Sequence, residues 1–138
     1  PDSDAECKML LNRSGKNPIN SVNCIVSKIE FLEMQSEVQN VFVSDDMARY
    51  IVSLISATRK HTLLSRGASP RATLSLTDMA KAVAFAEGRD YIVPRDVQNI
   101  FICTVNHRII LNAKASASKK NSEEILHEIL RKTPKPRT

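Results

Sequence analysis

The sequence has no tryptophan, and aromatic residues make up only 4% of it. Its core must therefore be built from Leu, Ile, Val, Ala and Met, which supply most of the 42% hydrophobic content. Glycine is scarce as well, with three residues, and there are six prolines. Because these two residues are the main breakers of regular structure, their scarcity favours long helices over a turn-rich β-fold. We expect one all-α domain, a bundle of about five to six helices with at most a small two-stranded β pair.

Cysteine is also rare, and no CxxC pair occurs. Cys7, Cys24 and Cys103 are odd in number and far apart, which argues against a disulfide framework and indicates reduced, mostly buried thiols in a cytoplasmic protein. The sequence has no apolar run long enough to span a membrane and no signal peptide. Since the chain opens on Pro1 instead of Met, we expect it to be part of a larger protein.

Capping residues locate the starts of several helices. Ser27 with Glu30, and Asn121 with Glu124, have the spacing of a capping box, in which each side chain bonds the backbone N–H of the other residue. Ser44 is followed by two aspartates, which suit the positive end of a helix. The helix after Ser44 has the clearest apolar periodicity in the chain. Its inward-facing positions are Met47, Tyr50, Ile51, Leu54, Ile55 and Thr58.

These signals divide the chain into segments. An N-terminal helix over about 2–13 is expected, with Cys7, Met9 and Leu10 facing inward. The core is expected over about 27–111, with a loop at 61–68. A linker over 112–121, a terminal helix over 122–132 and a mobile tail over 133–138 are expected to follow. Two short extended runs, 41–43 and 91–93, are expected to lie side by side as a small pair.

The stretch from Gly67 to Val97 holds the most informative helix. Ser69 is expected to be its N-cap, and Pro70 occupies the first helical position, where a missing N–H costs nothing. Gly88 is placed for a left-handed C-cap. The apolar stripe of this helix is expected to contain Ala72, Leu76, Met79, Ala80 and Val83.

Arg71 lies at the second position of this helix, where a cation is disfavoured by about 0.3–1 kcal/mol. Together with the free N–H groups of the first turn and with Arg66 just before it, Arg71 would form an anion site suited to phosphate. The competing interpretation is that Arg71 points into solvent or pairs with an acid of its own domain. On these residues alone, the competing interpretation is the stronger one.

The sequence contains no set of catalytic or metal-binding residues. There is no GxxxxGK[ST], GxSxG or HExxH motif. The three histidines are far apart, so no metal site is expected.

Several segments together resemble one family. VSDDMARYIVSLISATRKH, GASPRATLSLTDMAKAVAFAEGRDYIVPRDV and VNHRIIL are similar, in order and spacing, to the C-terminal lid subdomain of MoxR-type AAA+ ATPases. The similarity extends over about 41–111, and GASPRA followed by GRDYIVPRDV is its most specific part. Arg66, before GAS, departs from the apolar residue expected there and adds charge near the site.

The resemblance implies a function for the whole protein. In this family a P-loop subdomain of the same chain binds ATP and Mg²⁺, and the helical lid closes over the nucleotide. Arg71 matches the sensor 2 arginine that approaches the γ-phosphate, with Ser69, Pro70 and Arg66 beside it. Such proteins form rings, commonly hexamers of one subunit type, and act as chaperones on clients that often carry von Willebrand factor A domains. The Walker A and B motifs are missing here, so this chain alone is expected not to hydrolyse ATP.

Two other functions remain open. One is a helical adaptor that docks a protein partner through the third or fifth helix, with no role for a nucleotide. The other is a helix-turn-helix nucleic-acid binder formed by the fourth and fifth helices, with the basic residues Arg59, Lys60, Arg89, Arg95 and Arg108. The second is the least favoured, because the joining segment is longer than the usual turn and Asp96 lies where phosphate-reading side chains would be.

Overall fold

The computed structural model describes residues 2–13 and 17–136. In these residues the chain forms seven α-helices and one two-stranded sheet. The expected all-α class with a small β pair is therefore confirmed, with one short helix more than predicted. The chain divides into two compact units, Pro1–Glu33 and Met34–Thr138.

The first unit contains α1 (Ser3–Arg13) and a 3₁₀ turn (Pro18–Ser21). The prediction that Cys7, Met9 and Leu10 face inward is wrong, because Met9 is 60% exposed, Leu10 is 73% exposed and Cys7 is exposed too. The cause is visible in the sequence. Met9, Leu10 and the leucine after them are consecutive, so they point in different directions around the helix and form no single apolar face.

Helices α2 (Lys28–Asn40) and α3 (Asp45–Lys60) begin as predicted. At α2, the Ser27 N–H donates to Glu30 at 2.7 Å and the Glu30 N–H donates to the Ser27 hydroxyl at 3.2 Å. At α3, the Ser44 hydroxyl accepts the Met47 N–H at 3.3 Å. All six inward-facing positions predicted for α3 are buried.

Two small β features join distant parts of the chain. The extended runs pair as expected, in a parallel bridge between Phe42 and Tyr91. The second feature was not predicted: β1 (Leu64–Arg66) pairs antiparallel with β2 (Ile110–Leu111), although the sequence around β1 indicated only a loop. A three-residue strand is too short to leave a periodic signal of its own.

The core lies between α3, α4 (Pro70–Ala86), α5 (Pro94–Val105) and α7 (Ser122–Lys132). The helix expected over 122–132 has these bounds in the structure. Gly88 has the expected left-handed backbone, with φ 74°. The buried apolar side chains of these four helices are Met47, Tyr50, Ile51, Leu54, Ile55, Ala72, Leu76, Ala80, Ala84, Val97, Phe101, Val105, Ile125, Leu126 and Ile129.

Two details of the core differ from expectation. On α4, Met79 is exposed and Ala84 is buried, so the buried stripe repeats every four residues and consists of three alanines and Leu76. In the expected linker, residues 113–117 form a further helix, α6 (Ala113–Ala117), whose Ala115 is fully buried. Residues 137 and 138 of the expected tail lie outside the described residues.

The cysteines also differ from expectation. All three are free and exposed, so the prediction of mostly buried thiols is wrong. Cys103, for example, lies two residues after the buried Phe101 and so points about 200° away from it around α5. Of the helices in the described parts of the chain, none is long and apolar enough to cross a membrane.

Candidate functional site

The loop between β1 and α4 lies directly against the last turn of α3. A Cβ atom built at Gly67 would be 2.5 Å from the Cα and from the N of Arg59. These are backbone atoms of a helix and cannot move aside. Only glycine therefore allows the loop to come this close to α3.

A buried hydroxyl ties the same loop to α3. The Thr58 hydroxyl donates to the Ile55 carbonyl at 2.6 Å and accepts the N–H of Ala68 at 2.9 Å. Thr58 and Ala68 are both fully buried. Thr58, Gly67 and Ala68 are called the loop anchor below. The periodicity of α3 predicted the burial of Thr58 but not this bond, for which the only sequence signal is a hydroxyl at the end of an apolar stripe.

The first turn of α4 follows immediately after the loop anchor. Ser69 is in the N-cap position, with φ −76° and ψ 166°, but its side chain makes no capping hydrogen bond. Pro70 has no N–H, and the N–H of Ala72 bonds the Ser69 carbonyl at 2.8 Å. The N–H of Arg71 has no acceptor among the described residues. The sequence thus predicted the position of the N-cap. It did not predict that the Arg71 N–H and the Ser69 hydroxyl have no partner among the described residues.

Arg71 is exposed, and its side chain has no hydrogen bond or ion pair with any residue in the described ranges. The first turn of α4 contains no acidic residue. The competing interpretation offered two possibilities for Arg71. Pairing with an acid of the same domain is not found among the described residues, and the Arg71 side chain is exposed to solvent instead. Arg66 is also exposed, at the end of β1 on the other side of the loop.

These groups are donors of the kind that phosphate oxygens accept. The Arg71 guanidinium, the Arg71 N–H and the Ser69 hydroxyl are all donors without a partner in the part of the chain that the structure describes, and they belong to one helix N-terminus. A magnesium ion would need other ligands than these donors. Within the described residues, no group of three or more His, Cys, Asp or Glu side chains could hold a metal ion.

A second arginine that the sequence offered for anion binding is used in the fold. Arg89 donates from Nη1 to Asp96 Oδ2 at 2.8 Å and from Nη2 to Asp96 Oδ1 at 2.7 Å. It also pairs with Glu87 at 2.7 Å. The hydrogen bonds that Arg89 donates to Asp96, and then the one to Glu87, raise its pKa above the ordinary value. Arg89 is therefore not free to bind nucleic acid, which weakens the helix-turn-helix alternative.

Three pockets of the second unit lie away from Arg71. One of about 360 Å³ borders Phe85 and Arg89, one of about 470 Å³ borders Tyr50 and Thr133, and one of about 530 Å³ borders Phe42 and Tyr91. Neither the first turn of α4 nor Arg66 lines any of these three. The open donors of α4 are thus on an exposed surface and not in one of these cavities.

Residues 56–129 match the family model described as the AAA lid domain. This match covers more than half of the chain and includes the loop anchor and all of α4. The chain belongs to the AAA lid domain family. The lid assignment made from the sequence is thereby confirmed, and it favours the ATPase interpretation over a helical adaptor.

The individual relatives of this lid are longer proteins. The chain is 33% identical over 130 residues to the uncharacterized protein YeaC of Bacillus subtilis (strain 168), covering 94% of this chain and 41% of that protein. It is 30% identical over 143 residues to the chaperone MoxR1 of Mycobacterium tuberculosis (strain H37Rv), covering 97% of this chain and 38% of that protein. The lid therefore spans about two fifths of the curated relatives it matches.

A solved structure is similar over almost the whole lid. It is a crystal structure of a protein from Cytophaga hutchinsonii ATCC 33406, provisionally assigned as an ATPase. The TM-score is 0.81 and the sequence identity is 33%, with 99% of this chain and 44% of that chain covered. The resemblance to MoxR-type ATPases stated from the sequence is confirmed by the relative named chaperone MoxR1, and the ATPase assignment of the solved structure agrees with it.

Proposed function

We propose that this chain is the lid of a MoxR-type, chaperone-like ATPase, and that it closes over ATP bound by a P-loop subdomain of the same protein. In this proposal Arg71 acts as the sensor 2 arginine at the γ-phosphate. Ser69, Pro70 and Arg66 lie beside it. The ATP and Mg²⁺ are held by the parent protein, and this chain contributes one wall of the site.

The observation that carries the proposal is the unpaired state of Arg71 on an open helix start. A helix N-terminus carries roughly half a positive charge, so a free cation there is disfavoured until an anion arrives. A phosphate oxygen would accept from the guanidinium and from the Arg71 N–H at once. No acid in the described residues competes for these donors, which supports an external anion as their partner.

The position of Arg71 also supports a coupling role. The loop anchor ties the start of α4 to α3, and α4 packs on α5. A displacement of Arg71 toward a nucleotide would therefore move this helical core with it. In the whole protein this would change the geometry between neighbouring subunits of a ring, for which a hexamer is the expected form. A client with a von Willebrand factor A domain and a cytoplasmic location remain predictions.

The test is Arg71→Ala in the full-length protein. Removing one preorganised donor from a charged transition state costs on the order of 10²-fold in rate, and a fall of this size in kcat for ATP hydrolysis is expected. Arg95→Ala is the matched control, because Arg95 is exposed and has the same second position on α5. This control should leave the rate unchanged. If Arg71→Ala changes neither the rate nor the ATP affinity, the proposal is wrong.

A further inference from the structure

We propose that Thr58 and Gly67 are positioning residues, which hold Arg71 at the place from which it reaches the phosphate. This inference rests on the proposed function of Arg71. Thr58 cannot contact the nucleotide, since it is fully buried, and Gly67 has no side chain with which to contact it. Their effect would pass entirely through the loop that precedes α4.

Thr58 joins α3 to the loop before α4 through two hydrogen bonds. Its hydroxyl donates to the Ile55 carbonyl at 2.6 Å and accepts the Ala68 N–H at 2.9 Å. This links the last turn of α3 to a residue ten positions later in the chain. Because the hydroxyl is completely enclosed, water cannot replace either bond if one partner is removed.

Gly67 holds the same loop against the backbone of α3. An added Cβ would stand 2.5 Å from the Arg59 backbone, whereas ordinary contacts begin at 3.4 Å. A side chain at this position would push the loop away from α3 by about 1 Å, a displacement that can cost about 10²-fold in rate when it misplaces a catalytic group.

The connection from the loop anchor to Arg71 is short and stiff. Only Ser69 and Pro70 separate Ala68 from Arg71, and the ring of Pro70 fixes its φ angle. The N–H of Ala72 also bonds Ser69, at 2.8 Å. A shift at Ala68 would therefore be passed on to Arg71 with little absorbed between them.

Three variants of the full-length protein test the inference by activity. Thr58→Val keeps the shape but loses the hydroxyl, and kcat for ATP hydrolysis should fall on the order of 10-fold. Thr58→Ser restores the hydroxyl and should return most of the rate. Thr133→Val is the matched control, because the Thr133 hydroxyl also donates to a helix carbonyl, that of Ile129 at 2.9 Å, but lies at the end of α7. It should have the rate of the wild type.

A double variant separates positioning from a loss of folded protein. If Thr58 acts through Arg71, Thr58→Val should have no further effect on the rate in the Arg71→Ala background. An equal fall in both backgrounds would mean that Thr58 acts on the fold in general, and the inference would be overturned while the proposed function stands. If Arg71→Ala itself has no effect, both are overturned, and the two failures are thus distinguishable.

A measurement without nucleotide completes the test. Hydrogen exchange of the Ala68 amide can be followed by NMR in the 138-residue chain. Thr58→Val should speed this exchange by about 5-fold or more, as expected for one lost hydrogen bond, while Thr58→Ser should leave it slow. Gly67→Ala should speed it as well. Unchanged exchange at Ala68 in Thr58→Val would overturn the inference, whatever the rate of ATP hydrolysis.

Discussion

Helices α4 and α5 begin with the same two residues, proline and then arginine, but their first turns are completed differently. At α5 the third residue is Asp96, which accepts the Val93 N–H at 2.8 Å and is fully buried. At α4 the third residue is Ala72, and the turn has no acid and no side-chain cap. The third residue of the helix thus decides whether an acidic side chain of the same chain bonds the helix start (a closed start) or whether no such bond forms (an open start).

The two arginine environments follow the same division. Arg89 lies beside the start of α5, makes two bonds to Asp96 and is only 21% exposed. Arg71 lies on the start of α4 and is exposed, with no partner in residues 2–13 or 17–136. The positive end of α5 is therefore neutralised within the fold. The positive end of α4 remains available to an anion from outside it, and this difference separates a structural arginine from a candidate functional one.

The largest effect is expected from opening the start of α5. Asp96→Ala removes the cap of Val93 and both bonds to Arg89, and should lower the free energy of unfolding of this chain by about 2–4 kcal/mol. Urea unfolding measures this directly. Asp78→Asn, an exposed acid within α4, is the control and should change stability by less than about 0.5 kcal/mol. A loss below about 1 kcal/mol for Asp96→Ala would mean that the closed start is not a source of stability.

A smaller effect should distinguish an N-cap residue that makes a side-chain hydrogen bond from one that makes none. Asn121 caps α7 by accepting the Glu124 N–H at 2.8 Å, so Asn121→Ala should cost about 1 kcal/mol. Ser69 makes no such bond, and Ser69→Ala should change stability by less than about 0.5 kcal/mol. Both values come from thermal or urea unfolding. Equal losses at the two positions would show that Ser69 does cap α4, and that the start of α4 is less open than described.

The smallest effect concerns the cation itself. Arg71→Glu replaces a charge that opposes the helix dipole by one that suits it, and should raise the free energy of unfolding by about 0.5–1 kcal/mol. Arg95→Glu is the matched change on α5 and should gain less, because Asp96 already occupies that turn. Thermal unfolding at low salt gives the larger signal, since salt screens exposed charges. A destabilising Arg71→Glu would indicate that Arg71 supports the fold instead of a ligand.

Much of the fold could be predicted where the determinants lie close together in the sequence. The capping boxes at Ser27 and Asn121 involve residues three positions apart, and both are confirmed. The buried face of α3 repeats within a single helix and is confirmed as well. The side-by-side placement of runs 41–43 and 91–93 was also predicted, because both show the same extended run before a helix start, and the structure realises it as a parallel bridge between Phe42 and Tyr91.

Other features could not be predicted, for identifiable reasons. The exposure of Cys7 and Cys103 depends on what lies over each helix face, whereas the residue type alone predicts burial, because free cysteine is among the most often buried residues. Helix α6 has only five residues, too few for a periodic pattern. The pairing of Arg89 with Asp96 spans seven residues and a turn, and nothing in the spacing selects this acid.

The sequence by itself determined where the longer helices begin, and that Arg71 occupies the first turn of α4, because capping and helical spacing act over about four residues. The tertiary structure decided how that arginine is presented. The bond from Ala68 to Thr58, the glycine contact with the backbone of α3 and the pairing of Arg89 with Asp96 all depend on segments that meet only in the folded chain. Arg71 is left without a partner, and so is a candidate for phosphate binding, because packing has placed the acids of the described residues elsewhere.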